Sequence, residues 1–306
     1  MALFTIILTI LGLALFEVVS SIDNAIVNAE ILSSMQQKAR KWFLTWGIFI
    51  AVVVVRGILP FLIVWVTMPS LGPIGTITAT FSNDPAVAKT IEEHAGLPLA
   101  MGGTFLIFLF FYWLFIEPKN YGMRGERFFH SQGVWFYTVV SIILALLVWF
   151  GLKIDTMVAF GVVLGSSIFF ITHGFRQFAE TQEKTLTTSI KSDVSKLIFL
   201  EVIDASFSID GVIGAFAFTF SVPLIFLGNG LGVLVLRKLT ISNIENIKKY
   251  RYLKNGAMYS ILVLGIIMIV EVYGVNLPPL ISPIATFLIV GFFFLKSKKE
   301  INQISK

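Results

Sequence analysis

The chain contains no cysteine and only three histidines, His94, His130 and His173. The first absence removes disulfides and thiolate metal ligands. The second, with every histidine outside the apolar interiors, argues against zinc and copper donor sets. Charge is also scarce. Asp, Glu, Lys and Arg make up 13% of the 306 residues and hydrophobic residues 56%, whereas a soluble domain carries about 25% charged residues. Such a chain reads as an all-α polytopic membrane protein, with 1–306 a single transmembrane domain. The few charges lean basic, with a net charge of +5. The bases fall in short connections beside apolar runs, where they orient a membrane protein rather than hold nucleic acid. Met1-Ala2-Leu3-Phe4 brings no positive n-region, so the N-terminus reads as a first span and not as a cleaved signal peptide.

Apolar runs of helical length predict about nine spans: 3–32, 42–67, 98–116, 134–151, 155–172, 195–220, 222–237, 256–274 and 279–295. Loop charge then orients them. With the N-terminus outside and the C-terminus in the cytoplasm, every Lys and Arg except Arg56, Lys89 and Lys153 falls in an inner connection. The two long connections, 68–97 outside and 173–194 inside, lack the apolar periodicity of a separate domain.

Carboxylates within spans are expensive, at roughly 2.5–3.5 kcal/mol each on insertion scales. Residues 201–215 nevertheless hold three, Glu201, Asp204 and Asp210. Residues 17–28 echo them. With Glu17 laid on Asp204, Ser21-Ile22-Asp23 falls on Ser208-Ile209-Asp210 and Ile26 on Ile213. The shared pattern is acid-x3-Ser-Ile-Asp-x2-Ile. The two copies enter the membrane from opposite sides, which predicts an inverted repeat, about 1–116 against about 195–295. Glu17, Ser21, Asn24 and Asn28 share one helical stripe, and Asp204, Ser208 and Gly211 the matching one. Asp23 and Asp210 point about 120° away. Either each helix is central in the bundle, or it unwinds at Ser-Ile-Asp.

Clustered carboxylates at low dielectric need a cation or else hold protons. Oxygen donors suit Mg²⁺, Ca²⁺ and Mn²⁺. The predicted metal site is Glu17, Asp23, Asn24, Glu201, Asp204, Ser208 and Asp210, supported by Ser21, Asn28 and the counter-ion Arg56. Asp23 and Asp210 are expected to meet near the midplane, flanked by Glu17 and Asp204. Arg56 is the one base placed within a span, so it can neutralise one or two of these acids at most.

At Glu17-x5-Asp23-Asn24-Ala25 and Asp204-Ala-Ser-Phe-Ser-Ile-Asp210 the chain resembles the TerC family of integral membrane proteins, in particular its branch with a Ser-Phe-Ser-x-Asp-Gly pattern. That family is similar to the lysine-exporter superfamily of secondary transporters with paired repeats. The resemblance implies metal homeostasis, with manganese efflux in several relatives and an association with tellurite resistance. Asp-Gly stands where many relatives have Asp-Ser, and Glu201 is additional. The expectation is a non-enzymatic secondary exporter of a divalent cation, Mn²⁺ first and Ca²⁺ or Mg²⁺ next, in a bacterial cytoplasmic membrane. No permanently bound cofactor is expected, and protons are a candidate coupling partner. The alternatives are an intramembrane aspartyl protease built on Asp23 and Asp210, and a membrane partner in metal delivery or tellurite resistance.

Overall fold

The computed structural model describes residues 3–67, 72, 74–76, 95–188 and 193–304. They form helices and no strand, and seven of the helices are long and apolar enough to cross a membrane. The chain is a polytopic α-helical membrane protein.

Helix α1 (Leu3–Ser20) ends at a bend, and α2 (Ile22–Ser33) continues the chain. The bend has an identifiable cause. Ser20 Oγ donates to the Glu17 carbonyl at 3.3 Å and Ser21 Oγ to Glu17 Oε1 at 2.9 Å, and side chains inserted at the ladder deflect a helix. The ladder still holds on both sides of Ser21, from Ser21 N to Glu17 O and from Ala25 N to Ser21 O. Helix α3 (Gln37–Val66) carries two wide π-turns, Phe43–Gly47 and Ile50–Ile58. Such turns are uncommon and often mark functional positions; here the second contains Arg56.

Helix α4 (Gly96–Phe115) is the axis of the bundle: 83% of its apolar window is buried, against 11% for α6 (Gly133–Ile154), which lies at the periphery. Phe105 and Phe108 of α4 meet Phe169 edge-on at 6.2 and 5.8 Å, the arrangement that aromatic quadrupoles favour. The short helix α5 (Glu126–Ser131) precedes α6. Asp155 is the single residue between α6 and α7 (Thr156–Thr188), and its carboxylate accepts from Met157 N at 2.9 Å, as a helix cap does. The tight hinge expected at 151–155 is therefore present. The polar inner connection expected from 173 is not, because α7 stays helical to Thr188. The segment after Gly174 contains neither Gly nor Pro and is rich in Gln, Glu and Lys, which sustain a helix.

Helix α8 (Asp193–Ala215) runs unbroken through Ser208-Ile209-Asp210. The second acidic segment is thus regular helix, while the first is bent. A short turn leads into α9 (Val222–Lys248), whose Pro223 sits in the first turn, where its missing N–H costs nothing. Helices α10 (Leu253–Val272) and α11 (Ile281–Ile304) complete the bundle. The acids of α8 deny it an apolar window of spanning quality, so it is not among the seven, and α9 is not among them either. Most of the expected outer loop 68–97 lies outside the described residues.

Candidate functional site

Small residues bring α9 against α1. A Cβ on Gly228 would lie 2.5 Å from Leu13 Cβ, and one on Gly232 would lie 2.6 Å from Glu17 Cβ. This spacing of small residues lets membrane helices approach closely, and it packs Glu17 into the centre of the bundle, where it is 0% exposed. Arg56 of α3 donates through Nη2 to Glu17 Oε1 at 2.5 Å and through Nη1 to the Ala51 carbonyl at 2.9 Å. The second oxygen, Glu17 Oε2, has no hydrogen-bond partner and faces Gly211, where a Cβ would lie 2.5 Å from it. Arg56 and Glu17 form a buried ion pair.

Asp204 is where the two acidic segments touch. Asn24 Nδ2 of α2 donates to Asp204 Oδ1 at 2.7 Å, and Asn28 Nδ2, one turn on, reaches the same oxygen at 3.4 Å. Asp204 Oδ2 lies 3.7 Å from Arg237 Nη2 of α9, an ion pair without a good hydrogen bond. The Arg237 guanidinium instead rests 3.9 Å above the Phe43 ring, a cation–π contact. The amide oxygens of Asn24 and Asn28 are buried without a hydrogen-bond partner. Asn28, Asp204, Arg56 and Arg237 line a cavity of about 10 Å³, room for about one water-sized occupant. Glu201 is one turn before Asp204 on α8, so the two share a face. Its Oε1 abuts Gly47 of α3 and has no hydrogen-bond partner.

Asp210 stands apart. Arg176 Nη2 of α7 donates to its Oδ2 at 2.5 Å, and the pair faces a different cavity from that of Asp204. Ser208 donates to the Asp204 carbonyl at 2.5 Å, so its hydroxyl serves the helix backbone. Asn229 of α9 reaches the Gly211 carbonyl at 3.4 Å. Asp23 lies on α2, but its side chain is outside the described residues, so its expected approach to Asp210 is too. Among the described residues no three of His, Cys, Asp and Glu gather to hold a metal ion. The predicted residues divide into three stations: Glu17 with Ser21, Asp204 with Asn24 and Asn28, and Asp210.

Each station has its own arginine, which corrects the expectation that Arg56 alone was available. Arg176 and Arg237 sit close to the ends of apolar runs and read from sequence as loop charges. In three dimensions α7 and α9 run on past them, and their long side chains reach back into the bundle. The available signal was Arg56 within a span and Arg176 and Arg237 at the ends of apolar runs, one arginine for each of Glu17, Asp210 and Asp204.

The family model described as Protein of unknown function (DUF475) matches residues 22–303. The chain belongs to this family. The match begins within the first acidic segment and takes in the second, so Asn24, Asn28, Asp204 and Asp210 all lie inside it. No curated protein and no solved structure matches the chain.

Proposed function

We propose that this member of the family is a secondary transporter that exports a divalent cation, Mn²⁺ first, through Asp204, Asn24, Asn28 and Glu201. The observation that carries the reading is the convergence of Asn24 and Asn28 on Asp204, with unpartnered amide oxygens beside a cavity of about 10 Å³. Two carboxylates and two amides from α2 and α8 make an oxygen-donor set of the kind that hard divalent cations take. Arg237 is the tethered competitor for that site. At 3.7 Å it neutralises Asp204 without a good hydrogen bond, and the Phe43 ring gives it a resting place when a cation displaces it.

The cavity size bears on ion choice. A space for one water-sized occupant accepts an ion only after its water shell is shed. Mg²⁺ dehydrates reluctantly, so the site favours Mn²⁺ and Ca²⁺ over Mg²⁺. In this reading α8 and α9 join the seven long apolar helices as spans, nine in all. The inner placement of the bases supports an outside N-terminus and a C-terminus in the cytoplasm of a bacterial cell. In this arrangement α1–α2 and α8 are the opposed halves of an inverted repeat. The aspartyl-protease alternative is weaker, because Asp210 is committed to Arg176, whereas a proton-sharing dyad needs two carboxylates in contact.

The test is Mn²⁺ flux into sealed vesicles reconstituted with the purified protein. Asp204→Asn keeps an oxygen acceptor for Asn24 and removes the charge, so flux should fall at least tenfold while the protein stays folded. Glu300→Gln, at the surface pair with Arg251, should leave it unchanged. Undiminished Mn²⁺ flux in Asp204→Asn rejects the site. No Mn²⁺ or Ca²⁺ flux in the unmutated protein rejects the transport reading.

A further inference from the structure

Two larger cavities are not part of the Asp204 station. One, of about 340 Å³, is lined by Asp210, Arg176, Glu117, Lys254, His173 and Tyr112 over an apolar wall containing Met258 and Ile261. The other, of about 470 Å³, is lined by the turn 216–220 after α8 and by Glu271 and Ser282. Glu271 makes no ion pair with any described residue and is, among the described residues, the only acid or base lining that cavity. The two cavities lie at opposite ends of α10. Lys254 is in its first turn and Glu271 in its last, about 25 Å apart at 1.5 Å per residue.

The same helices wall both spaces. Helix α4 gives Leu109 to the first and Leu99 to the second. Helix α8 gives Asp210 to the first, and Phe216 just past its end lines the second; six residues separate them, about 9 Å. A single contact closes this short interval. A Cβ on Gly102 of α4 would lie 3.2 Å from Ile213 Cγ2 of α8 and 3.3 Å from Met268 Sδ of α10. Leu106 and Leu264 bury themselves in the same layer. Ile213, Met268, Leu106 and Leu264 make the layer between the vestibules largely apolar, with buried Thr104 of α4 on the same interval, and an apolar layer of this kind blocks ions by dewetting.

We propose that the two cavities are the opposed vestibules of a proton route, and that Ile213 and Met268 closing on Gly102 are its gate. The inference rests on the transport reading for its purpose: it names the coupling ion as H⁺, moving counter to the divalent cation. At about 340 and 470 Å³ each vestibule has room for several waters beside its carboxylate, Asp210, held by Arg176, on one side and Glu271 on the other. Asp210 and Asp204 occupy different faces of α8, six residues and therefore about 120° apart around the helix. Protons thus pass beside the cation site and not through it.

The absence of cysteine makes the route directly testable, since Met258→Cys or Thr219→Cys introduces the only thiol. With a membrane-impermeant sulfonated thiol reagent, Met258→Cys should react only from the Lys254 side and Thr219→Cys only from the Glu271 side. Labelling of both from one side, or of neither, overturns the two-vestibule reading whether or not Mn²⁺ is carried. Separately, Ile213→Ala with Met268→Ala should speed dissipation of a pH gradient several-fold in vesicles without divalent cation. A leak at the unmutated level overturns the gate. If that variant does not fold, Met268→Val is assayed in its place, with the same two outcomes. Loss of Mn²⁺ flux in Asp204→Asn alongside a failed labelling pattern would leave the transport reading intact and remove the proton route alone.

Discussion

Asn24 donates a 2.7 Å hydrogen bond to Asp204 across 180 residues of sequence. The bond joins the two segments that match each other as sequence, and it does so at non-equivalent positions. In the alignment Asp204 corresponds to Glu17, yet its partner Asn24 lies seven residues, about two turns, beyond Glu17. The two copies therefore cross instead of pairing acid to acid. Crossing keeps Glu17 and Asp204 on separate arginines and spares the bundle a pair of adjacent like charges.

Removing Asp204 should expose how the second pair contributes. Asp204→Ala leaves buried Arg237 without its ion-pair partner, and breaking such a pair costs about 3–5 kcal/mol. The expected result is a lower unfolding temperature in detergent and reduced yield. Adding Arg237→Met, which removes the stranded charge and keeps an apolar side chain of similar length, should recover most of the loss. An Asp204→Ala variant as stable as the unmutated protein would show that Arg237 finds water when its partner is gone.

Glycine substitutions test the α1–α9 contact. On Gly232 a Cβ would meet Glu17 Cβ at 2.6 Å and the Ala14 carbonyl at 2.8 Å. Neither can retreat without moving α1, so Gly232→Ala should destabilise by about 1–3 kcal/mol, the usual range for overpacking. Gly291→Ala meets nothing within 4 Å on a helix. It should be neutral or stabilising by up to about 1 kcal/mol through helix propensity. Equal thermal shifts in the two variants would contradict the packing account.

The membrane class, the tight hinge at Asp155 and the placing of Glu17 and Asp204 within apolar helices were legible because each depends on local composition or spacing. The partners were not. Arg176 and Arg237 read as loop charges, since charge statistics count a base by its position in the chain and not by where its side chain ends. The separation of Asp210 from Asp204 was half legible: six residues on a helix put them on different faces, and the stripe analysis did set Asp210 aside. Its pairing with Arg176 depended on how far α7 continues, which loop composition does not reveal. The bend at Ser21 and the straight run at Ser208 show the limit of repeat matching. The same Ser-Ile-Asp bends where serine bonds a side-chain carboxylate and stays helical where serine bonds the carbonyl four residues back.

Orientation has a direct measurement. A reporter fused after residue 306 should read cytoplasmic, and one inserted between residues 77 and 94 should read external, because the bases crowd the inner connections. Both on one side would require an even count of spans between them and would remove the opposed orientation of the two acidic segments.

The last prediction concerns Lys119, which lies beyond the end of α4 and outside the spans. Its ammonium donates to the Trp113 and Leu114 carbonyls and stands 4.3 Å above the Trp113 ring. Cations suit a helix C-terminus, where carbonyls lack partners in the ladder. Burial nonetheless costs the charge more than these contacts and nearby Glu126 and Glu117 return, and its pKa falls from 10.5 to about 8. The sign for stability follows from proton counts. Below pH 8 both folded and unfolded chains hold the proton, and the folded state bears the full cost of a buried ammonium. Between about pH 8 and 10.5 the folded protein releases the proton while the unfolded chain keeps it, so this group's contribution to stability rises with pH. Lys119→Met removes that term. The difference in unfolding temperature between the unmutated protein and Lys119→Met, measured from pH 7 to 10 in one detergent, should therefore move in favour of the unmutated protein above about pH 8. A difference that stays flat, or moves the other way, would mean that Lys119 reaches water and that its carbonyl contacts are too weak to hold it against Trp113.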